Sequence, residues 1–231
     1  MARKLYELVG VEADRPFSPY CWRTRMALAH KGLAVECVPW RFTEKDAIAF
    51  SGQGRVPVLV DGDQTVHDSW TIAGYLEERY PDKPSLFDGL TGKAMAAFFG
   101  NWVDNAVNPA VMRVVLMDIY GQLREADKVY FRTSREERFG MTLEAIVADP
   151  EVKLTALRQV LQPARLTLQQ QPYLGGAAPK YADYILFGAF QWARAVSPRQ
   201  LLAADDPVAA WRARLLEAHG GVAGKSKGFP V

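Results

Sequence analysis

The sequence predicts a small α/β domain followed by an all-helical domain, and three observations carry this prediction. The chain has 231 residues, which is enough for two domains of ordinary size. Roughly the first 80 residues alternate short apolar runs with helical patterns. Beyond residue 92 no strand pattern is convincing, and turn signals separate successive helical patterns.

The first domain, residues 1–82, is predicted to have the element order βαβαββα. The predicted strands are residues 4–9, 35–39, 58–60 and 65–67, and the predicted helices are residues 19–31, 44–50 and 69–80. Asp61-Gly62 is typical of a hairpin turn, and Pro81 ends the last helix. Two parallel strands joined by a crossover, then a hairpin and a closing helix, give a small mixed sheet covered by helices. This is the thioredoxin-like arrangement.

The second domain is predicted to be all-helical and to cover residues 93–231. Prolines and glycines in residues 83–92 indicate a linker between the domains. The predicted helices of the second domain are residues 93–120, 134–148, 152–171, 181–196 and 207–219.

Composition favours a folded protein of a reducing, aqueous compartment. The net charge of +2 gives no electrostatic reason to expect nucleic acid as a partner. Two cysteines are too few for a disulfide framework, and Lys4 and Glu7 interrupt any apolar run that a signal peptide would need. No stretch approaches the roughly 18 apolar residues of a membrane span. We therefore expect a cytoplasmic protein that neither binds nucleic acid nor inserts into a membrane.

Ser18-Pro19 stands between the first predicted strand and the first predicted helix. Serine suits the N-cap of a helix, and proline suits its first position, where a missing N–H costs nothing. An ordinary cap would satisfy this pattern. It would also place a hydroxyl in the positive field at the start of a helix.

Val56-Pro57 leads into the third predicted strand. A proline is tolerated at the first position of a strand. In a thioredoxin-like domain a cis proline here leaves the N–H and C=O of the preceding residue free, so that a peptide-like ligand can pair with them as an added strand. A trans proline entering an edge strand is the alternative.

Asp68-Ser69 begins the closing helix of the first domain. Free N–H groups and the helix dipole attract a carboxylate there, and Asp68 offers a charge for an ammonium group. A plain helix cap would use the same two residues. In the predicted fold the hydroxyl, the strand-like edge and this clamp converge, and a γ-glutamyl-cysteinyl-glycine tripeptide presents a thiol, a peptide backbone and an α-amino acid in matching order.

Several segments resemble a known family. Residues 18–25 (SPYCWRTR) and 27–32 (ALAHKG) resemble the first helix of cytosolic glutathione transferases, and residues 55–87 resemble the segment that follows. The Ser-Pro-Tyr start, the His-Lys-Gly end and Asp-Ser-Trp resemble in particular the bacterial lignin β-etherases and related fungal-type transferases. In the helical domain the resemblance is weaker and is limited to Asn101-Trp102 and residues 181–184.

The resemblance implies a homodimeric transferase that uses glutathione as co-substrate and no metal. It implies that Ser18 activates the thiol, that Val56 pairs with the cysteinyl backbone ahead of cis-Pro57, and that Asp68 and Ser69 hold the γ-glutamyl group.

The same resemblance does not fix which residue binds the glycyl carboxylate of glutathione. The candidates are Trp40, Arg41, Lys45 and Gln53, with Arg41 and Gln53 first. Asp183 matches the buried aspartate that caps the penultimate helix in this family. Lys180 replaces the usual Ser, Thr or Asn three residues earlier.

The second substrate is expected to be a small, hydrophobic, aromatic electrophile. Phe17, Tyr20, Trp102 and Asn105 are the candidates for its binding wall. One alternative is glutathione-dependent cleavage of an aryl ether, and another is a non-catalytic carrier of glutathione and aromatic ligands.

A thiol-exchange function is disfavoured, because Ser18 stands where glutaredoxins carry the first cysteine of Cys-Pro-Tyr-Cys. Cys21 is expected in the core. Tyr6 and Tyr20 are rivals of Ser18 for activating the thiol. The three histidines lack metal-ligand spacing, so no metal site is expected.

Overall fold

The structure is a computed structural model that describes residues 3–230; the predicted domain ends at residues 1–2 and 231 lie outside this range. The first domain contains one four-stranded sheet with the strand order β2-β1-β3-β4. Its elements are β1 Lys4–Leu8, α1 Pro19–His30, β2 Glu36–Trp40, a 3-10 helix Lys45–Ser51, β3 Val58–Asp61, β4 Gln64–His67 and α2 Ser69–Arg79.

The strand pairing confirms the thioredoxin-like class. Strand β1 pairs with β2 in parallel, and α1 is the crossover between them. Strand β3 is antiparallel to both β1 and β4. The short helix predicted at residues 44–50 is a 3-10 helix rather than an α-helix, and Gly52 ends it with a left-handed φ of 71°.

The second domain is all-helical, as predicted. Its elements are α3 Leu90–Trp102, a π-helical turn Val103–Val107, α4 Asn108–Gly121, α5 Glu125–Phe139, α6 Leu143–Ile146, α7 Pro150–Val160, α8 Gln162–Leu168, α9 Tyr181–Val196 and α10 Pro207–Gly221. Among residues 3–230, none of the helices has both the length and the apolar character of a membrane span.

The long helix predicted at residues 93–120 is interrupted. Helix α3 begins at Leu90, inside the predicted linker of residues 83–92, and continues through the π-helical turn into α4. Within that turn the Asn108 N–H donates to the Val103 carbonyl, five residues back. Pro109 has no N–H to continue the usual pattern at the next residue, which favours this wider turn.

Three other helix boundaries were wrong. Helix α5 begins at Glu125 instead of 134 and ends at Phe139, because Gly140 adopts a left-handed φ of 66°. The helix predicted at 152–171 is two helices that meet at Leu161, just before Pro163. Helix α10 is already non-helical at Ala218, so its last regular turn is shorter than residues 207–219.

The two domains join where α9 packs against α1. Helix α9 matches its predicted bounds, and Gly188 lies where it crosses the start of α1. A Cβ on Gly188 would stand 2.4 Å from the Pro19 carbonyl oxygen, so only glycine permits this approach. The Tyr181 hydroxyl donates to the Ser69 carbonyl over 2.7 Å. These contacts fix the first turns of α1 and α2 against the helical domain.

Candidate active site

A cleft of about 1030 Å³ lies between the two domains. Its first-domain side is formed by the β1–α1 loop, the residues before β3 and the start of α2, and these contribute Ser18, Val56, Pro57, Asp68 and Ser69. Its second-domain side comes from α4, α5, α9 and the π-helical turn. The three sequence motifs of the first domain therefore open into one space.

Ser18 is the N-cap of α1, and Pro19 occupies the first helical position. The Ser18 Oγ accepts a hydrogen bond from the Cys21 N–H at 3.3 Å. Ser18 is 4% exposed and lines the cleft. Since a hydroxyl has one donor and two acceptor positions, the cap leaves the hydroxyl hydrogen for a partner in the cleft.

Val56 and Pro57 are joined by a cis peptide bond and line the cleft directly before β3. Within residues 3–230, neither the N–H nor the C=O of Val56 takes part in a recorded hydrogen bond. A strand edge in this state offers one donor and one acceptor to an extended peptide.

Asp68 caps α2 with an unusual backbone. Its φ is 70°, which is costly for a residue other than glycine and is found where the surroundings enforce it. Oδ1 accepts bonds from the N–H groups of Trp70 and Thr71, each at 3.0 Å. Within the described part of the chain Oδ2 has no recorded partner, so one carboxylate oxygen remains for a ligand. Ser69, 3% exposed, lies beside it on the cleft.

The residues considered for the glycyl carboxylate have different positions. Arg41 does not line the cleft: its Nε donates to the Gly10 carbonyl at 2.9 Å, and its guanidinium pairs with Glu44 at 3.4 Å. These two partners hold the Arg41 guanidinium outside the cleft lining, and its role toward the glycyl carboxylate stays a prediction. Gln53 does line the cleft.

The Gln53 side chain is engaged within its own loop. Its amide nitrogen donates to the Ser51 hydroxyl and to the Arg55 carbonyl, both at 2.9 Å, and its oxygen accepts from the Arg55 N–H at 2.7 Å. Lys45 lines this end of the cleft as a cation, with Nζ 4.9 Å from the centre of the Trp40 ring.

Two of the four residues suggested for the second substrate lie elsewhere. Phe17 and Tyr20 line the cleft, but Trp102 and Asn105 do not. Trp102 packs against Phe99, with ring centres 5.1 Å apart, and Asn105 donates to the Asn101 carbonyl of its own helix. Trp102 is the last residue of α3, before the π-helical turn, and Asn105 lies inside that turn.

From the same part of the chain, Asp104 and Asn108 line the cleft, whereas Trp102 and Asn105 do not. Arg23 of α1 pairs with Asp104 through two hydrogen bonds, of 2.5 and 3.2 Å. Asn108 donates to the same carboxylate at 2.9 Å. The Arg23 guanidinium lies 4.6 Å from the centre of the Tyr20 ring, so this pair also positions Tyr20.

Helix α5 supplies cleft residues that the sequence analysis missed. Tyr130, Phe131, Ser134, Arg135 and Arg138 all line the second-domain side. Their spacing of three and four residues places them on one helical face, which was a readable signal. The predicted helix began only at residue 134, so Tyr130 and Phe131 were not recognised as part of a helical face.

The cysteines are poor candidates for chemistry. Burial raises the pKa of the Cys21 thiol to about 12, and the nearby Glu7 carboxylate acts in the same direction. Burial likewise raises the pKa of Cys37 to about 12. Because the thiolate is the reactive form, these shifts predict that both thiols are protonated and poorly nucleophilic near neutral pH. Tyr6 lies in β1 against Phe50, away from the cleft.

Asp183 lies at the start of α9, fully buried and outside the cleft lining. Its carboxylate accepts from the backbone N–H groups of Leu174, Gly175 and Lys180 at 2.7–2.9 Å, and from the Trp211 indole at 2.8 Å. Burial raises the pKa of Asp183, while these donors oppose the shift. The cap uses the Lys180 backbone N–H, so it needs no hydroxyl at that position.

Family profiles match both halves of the chain. The profile of the glutathione S-transferase N-terminal domain matches residues 13–84. The profile of the glutathione S-transferase C-terminal domain matches residues 94–218.

Individual relatives agree with the profiles. A zeta-class glutathione S-transferase from Euphorbia esula is 34% identical over 113 residues, which span 47% of this chain and 50% of that protein. A probable glutathione S-transferase (GSTU6) from Oryza sativa subsp. japonica is 27% identical over 210 residues, spanning 85% of this chain and 80% of the relative. The match to the first of these curated relatives thus covers about half of its length.

Solved structures share the whole fold. Glutathione transferase GSTFuA3 from Phanerochaete chrysosporium superposes with a TM-score of 0.84 at 24% identity, over 93% of this chain and 96% of that one. A glutathione S-transferase from Ceriporiopsis subvermispora, solved in complex with glutathione, gives a TM-score of 0.80 at 22% identity over 95% and 96%. The two-domain arrangement is therefore the one these structures have.

Proposed function

Because the chain belongs to the glutathione S-transferase family, we propose that it transfers glutathione to a small aromatic electrophile and that Ser18 stabilises the reacting thiolate. The observation that carries this proposal is the Ser18 cap. The Oγ is held by the Cys21 N–H at 3.3 Å, which leaves the hydroxyl hydrogen for a sulfur atom in the cleft.

In this proposal the tripeptide lies along the glutathione half of the cleft, defined as Ser18, Val56, Pro57, Asp68 and Ser69. The γ-glutamyl ammonium pairs with Asp68, and its carboxylate meets the Ser69 hydroxyl at the positive end of α2. The cysteinyl backbone pairs with Val56 as an added strand. Among the residues considered for the glycyl carboxylate, Lys45 is the cation with a cleft position.

The chemistry is a displacement by sulfur. The thiol proton leaves to solvent, and the thiolate forms a C–S bond with an electron-poor carbon, from which the leaving group departs with its bonding electrons. A hydrogen bond to a charged acceptor contributes about 1.5–3 kcal/mol, so the Ser18 hydroxyl lowers the thiol pKa by roughly one to two units. Burial and the Asp104 carboxylate raise the pKa of the Tyr20 phenol, so Tyr20 is a neutral hydrogen-bond donor on the cleft and a rival to Ser18 for the thiolate.

Ultraviolet titration of the thiolate in the glutathione complex tests the role of Ser18. Ser18→Ala is expected to raise the apparent thiol pKa by about one to two units and to lower turnover at neutral pH by roughly ten- to a hundredfold when chemistry limits the rate. Glutathione affinity should change little, because Val56, Asp68 and Ser69 still hold the tripeptide.

Thr142→Ala is the matched control. Thr142 caps α6 through the same kind of bond, Oγ1 to the Ala145 N–H at 3.3 Å, and lies outside the cleft lining. It should reproduce the stability cost of a lost cap, about 1 kcal/mol, without moving the titration. A Ser18→Ala complex with the parent's titration curve would assign thiol activation to another group. Binding of glutathione without turnover of any electrophile would favour a carrier.

We also propose a homodimer in the cytoplasm. Helix α3 exposes Leu90, Met95 and Phe98 by 88%, 61% and 71%, an apolar surface that a second copy would cover. Sedimentation should give twice the chain mass of 25.8 kDa at micromolar concentration. Phe98→Asp should shift the equilibrium toward monomer, whereas an unchanged dimer would place the interface elsewhere.

A further inference from the structure

Two arginines of α5 face the cleft on its second-domain side. Arg135 is half-buried, Arg138 is exposed, and both line the cleft three residues apart on one helical face. We use "electrophile half" for Tyr20, Phe42, Phe131 and these two arginines. Charge on this wall is unexpected if the second substrate is purely apolar.

Other arginines of this region are neutralised by acids. Arg132, on the same helix, pairs with Glu136 and Glu144, each at 2.8 Å. Arg124 pairs with Glu44 and Asp127. Within residues 3–230, no ion pair is recorded for Arg135 or Arg138.

The acidic residues of the cleft cannot serve as partners for these two. Asp104 is taken by Arg23 through two hydrogen bonds. Asp68 caps α2 at the opposite, proposed glutathione end. The electrophile half therefore carries an uncompensated positive charge.

Aromatic packing holds the Arg135 guanidinium in place. Its central carbon lies 4.5 Å from the centre of the Phe131 ring and 5.3 Å from that of Phe42. Nη1 donates to the Ser134 hydroxyl at 2.8 Å. Burial lowers the pKa of Arg135, because the charged guanidinium loses contact with water. The arginine still stays charged at any physiological pH. A bound anion would offset this cost of desolvation.

We propose that the second substrate is an aromatic electrophile bearing a carboxylate, which Arg135 and Arg138 bind while the aromatic ring packs beside Phe42 and Phe131. This inference rests on the proposed transferase function and adds the substrate class. A guanidinium presents paired donors that match a planar carboxylate, and a half-buried one loses little entropy on binding.

A matched pair of probes tests the proposal: 4-chloro-3,5-dinitrobenzoate and its neutral analogue 4-chloro-3,5-dinitrobenzamide. In both, the glutathione thiolate attacks the carbon bearing chlorine, a C–S bond forms, and chloride leaves with the bonding electrons. Each kcat/KM is divided by the uncatalysed rate constant with glutathione, which removes the intrinsic difference in reactivity. The parent protein should prefer the benzoate by roughly tenfold, mainly through KM, and added salt should reduce the preference.

Amino-acid substitutions identify the residues that cause the preference for the benzoate. Arg135→Gln should reduce the benzoate-to-benzamide ratio about three- to tenfold and Arg138→Gln about two- to threefold, with the KM for glutathione unchanged. Arg135→Lys should retain part of the ratio. Arg113→Gln is the matched control, because Arg113 is an exposed arginine of the neighbouring helix α4 outside the cleft lining.

Several outcomes would overturn the inference. A benzoate-to-benzamide ratio near one in the parent protein would overturn it. Turnover of the benzamide in the same assay would leave the transferase proposal intact. A raised KM for glutathione in Arg135→Gln with an unchanged ratio would assign this arginine to the glycyl carboxylate. If neither probe is turned over, the transferase proposal fails, and calorimetry with 3,5-dinitrobenzoate and 3,5-dinitrobenzamide still decides whether the cleft selects the anion.

Discussion

The two halves of the cleft are built from different kinds of groups. The glutathione half uses helix caps, a strand edge and small buried side chains, all within the first domain. The electrophile half uses long side chains, Arg135 among them, and depends on how α5 packs against the first domain. The first kind is set largely by local backbone conformation, the second by tertiary packing.

This difference indicates which half can change without loss of the fold. Altering a cap or a strand edge disturbs the elements themselves, because Ser18 and Asp68 each begin a helix. Exchanging a side chain on a helical face leaves the helix in place. We therefore expect the glutathione half to accept few substitutions without losing its ligand. We expect the electrophile half to determine which second substrate is preferred.

Gly188→Ala should have the largest effect, because it disturbs both halves together. The added Cβ would stand 2.4 Å from the Pro19 carbonyl oxygen, so α9 must move away from the start of α1. We expect a loss of about 1–3 kcal/mol in unfolding free energy and a fall in both glutathione affinity and turnover. Chemical denaturation and steady-state kinetics measure these.

Gly121→Ala is its control, since a Cβ there meets nothing within 4 Å. It should keep or slightly raise stability, because alanine favours a helix more than glycine does. Equal stability of Gly188→Ala and the parent would mean that the domain junction yields more easily than the structure indicates.

Asp68→Ala should affect the glutathione half alone. Losing a charge-assisted partner costs about 1.5–3 kcal/mol, or roughly ten- to a hundredfold in glutathione affinity. The loss should be the same whichever electrophile is used. Retention on immobilised glutathione and calorimetry provide the measurement.

Asp68→Asn separates the charge from the cap, because its amide oxygen can still accept from Trp70 and Thr71. It should retain the helix cap and lose most of the affinity. Undiminished affinity in a folded Asp68→Ala protein would remove the clamp from the proposed site.

The smallest effect is expected at the cysteines, which belong to neither half. Since burial raises the pKa of both thiols to about 12, neither should react readily with iodoacetamide at pH 7.5 until the protein unfolds. Mass spectrometry after a timed pulse, with and without denaturant, measures this. Cys21→Ser should keep both the thiolate titration and turnover close to the parent's. Rapid alkylation of Cys21 in the folded protein would revive thiol exchange.

Local signals in the sequence predicted local structure well. Ser18-Pro19 and Asp68-Ser69 were identified as helix starts because capping depends on neighbouring residues only. The bounds of α9 also agreed, since Pro179 and Pro198 lie just outside its two ends and delimit the apolar pattern between them. The roles assigned to these residues toward glutathione remain predictions.

The direction of long side chains could not be predicted from the sequence. Arg41 was proposed for the ligand because of its position in the chain, but its guanidinium contacts Gly10 and Glu44 outside the cleft lining. Trp102 and Asn105 were suggested for the binding wall of the second substrate, and neither lines the cleft. Neither the contact of Arg41 with the Gly10 carbonyl, 31 residues away, nor the wider helical turn can be derived from residue spacing alone.

The π-helical turn Val103–Val107 lets this wall of the cleft tolerate a change in chain length. Such a turn contains one residue more than the α-helical turn that it replaces. Because the extra residue is absorbed within that turn, deleting it would give a continuous α-helix whose later residues keep nearly their present directions. Pro109, Met112 and Ile119, which line the cleft, would keep facing it. A deletion inside α4 would instead rotate every later residue of that helix by about 100° and turn part of this lining away. We therefore expect evolution to accept a change of length at the π-helical turn more readily than in the helices on either side.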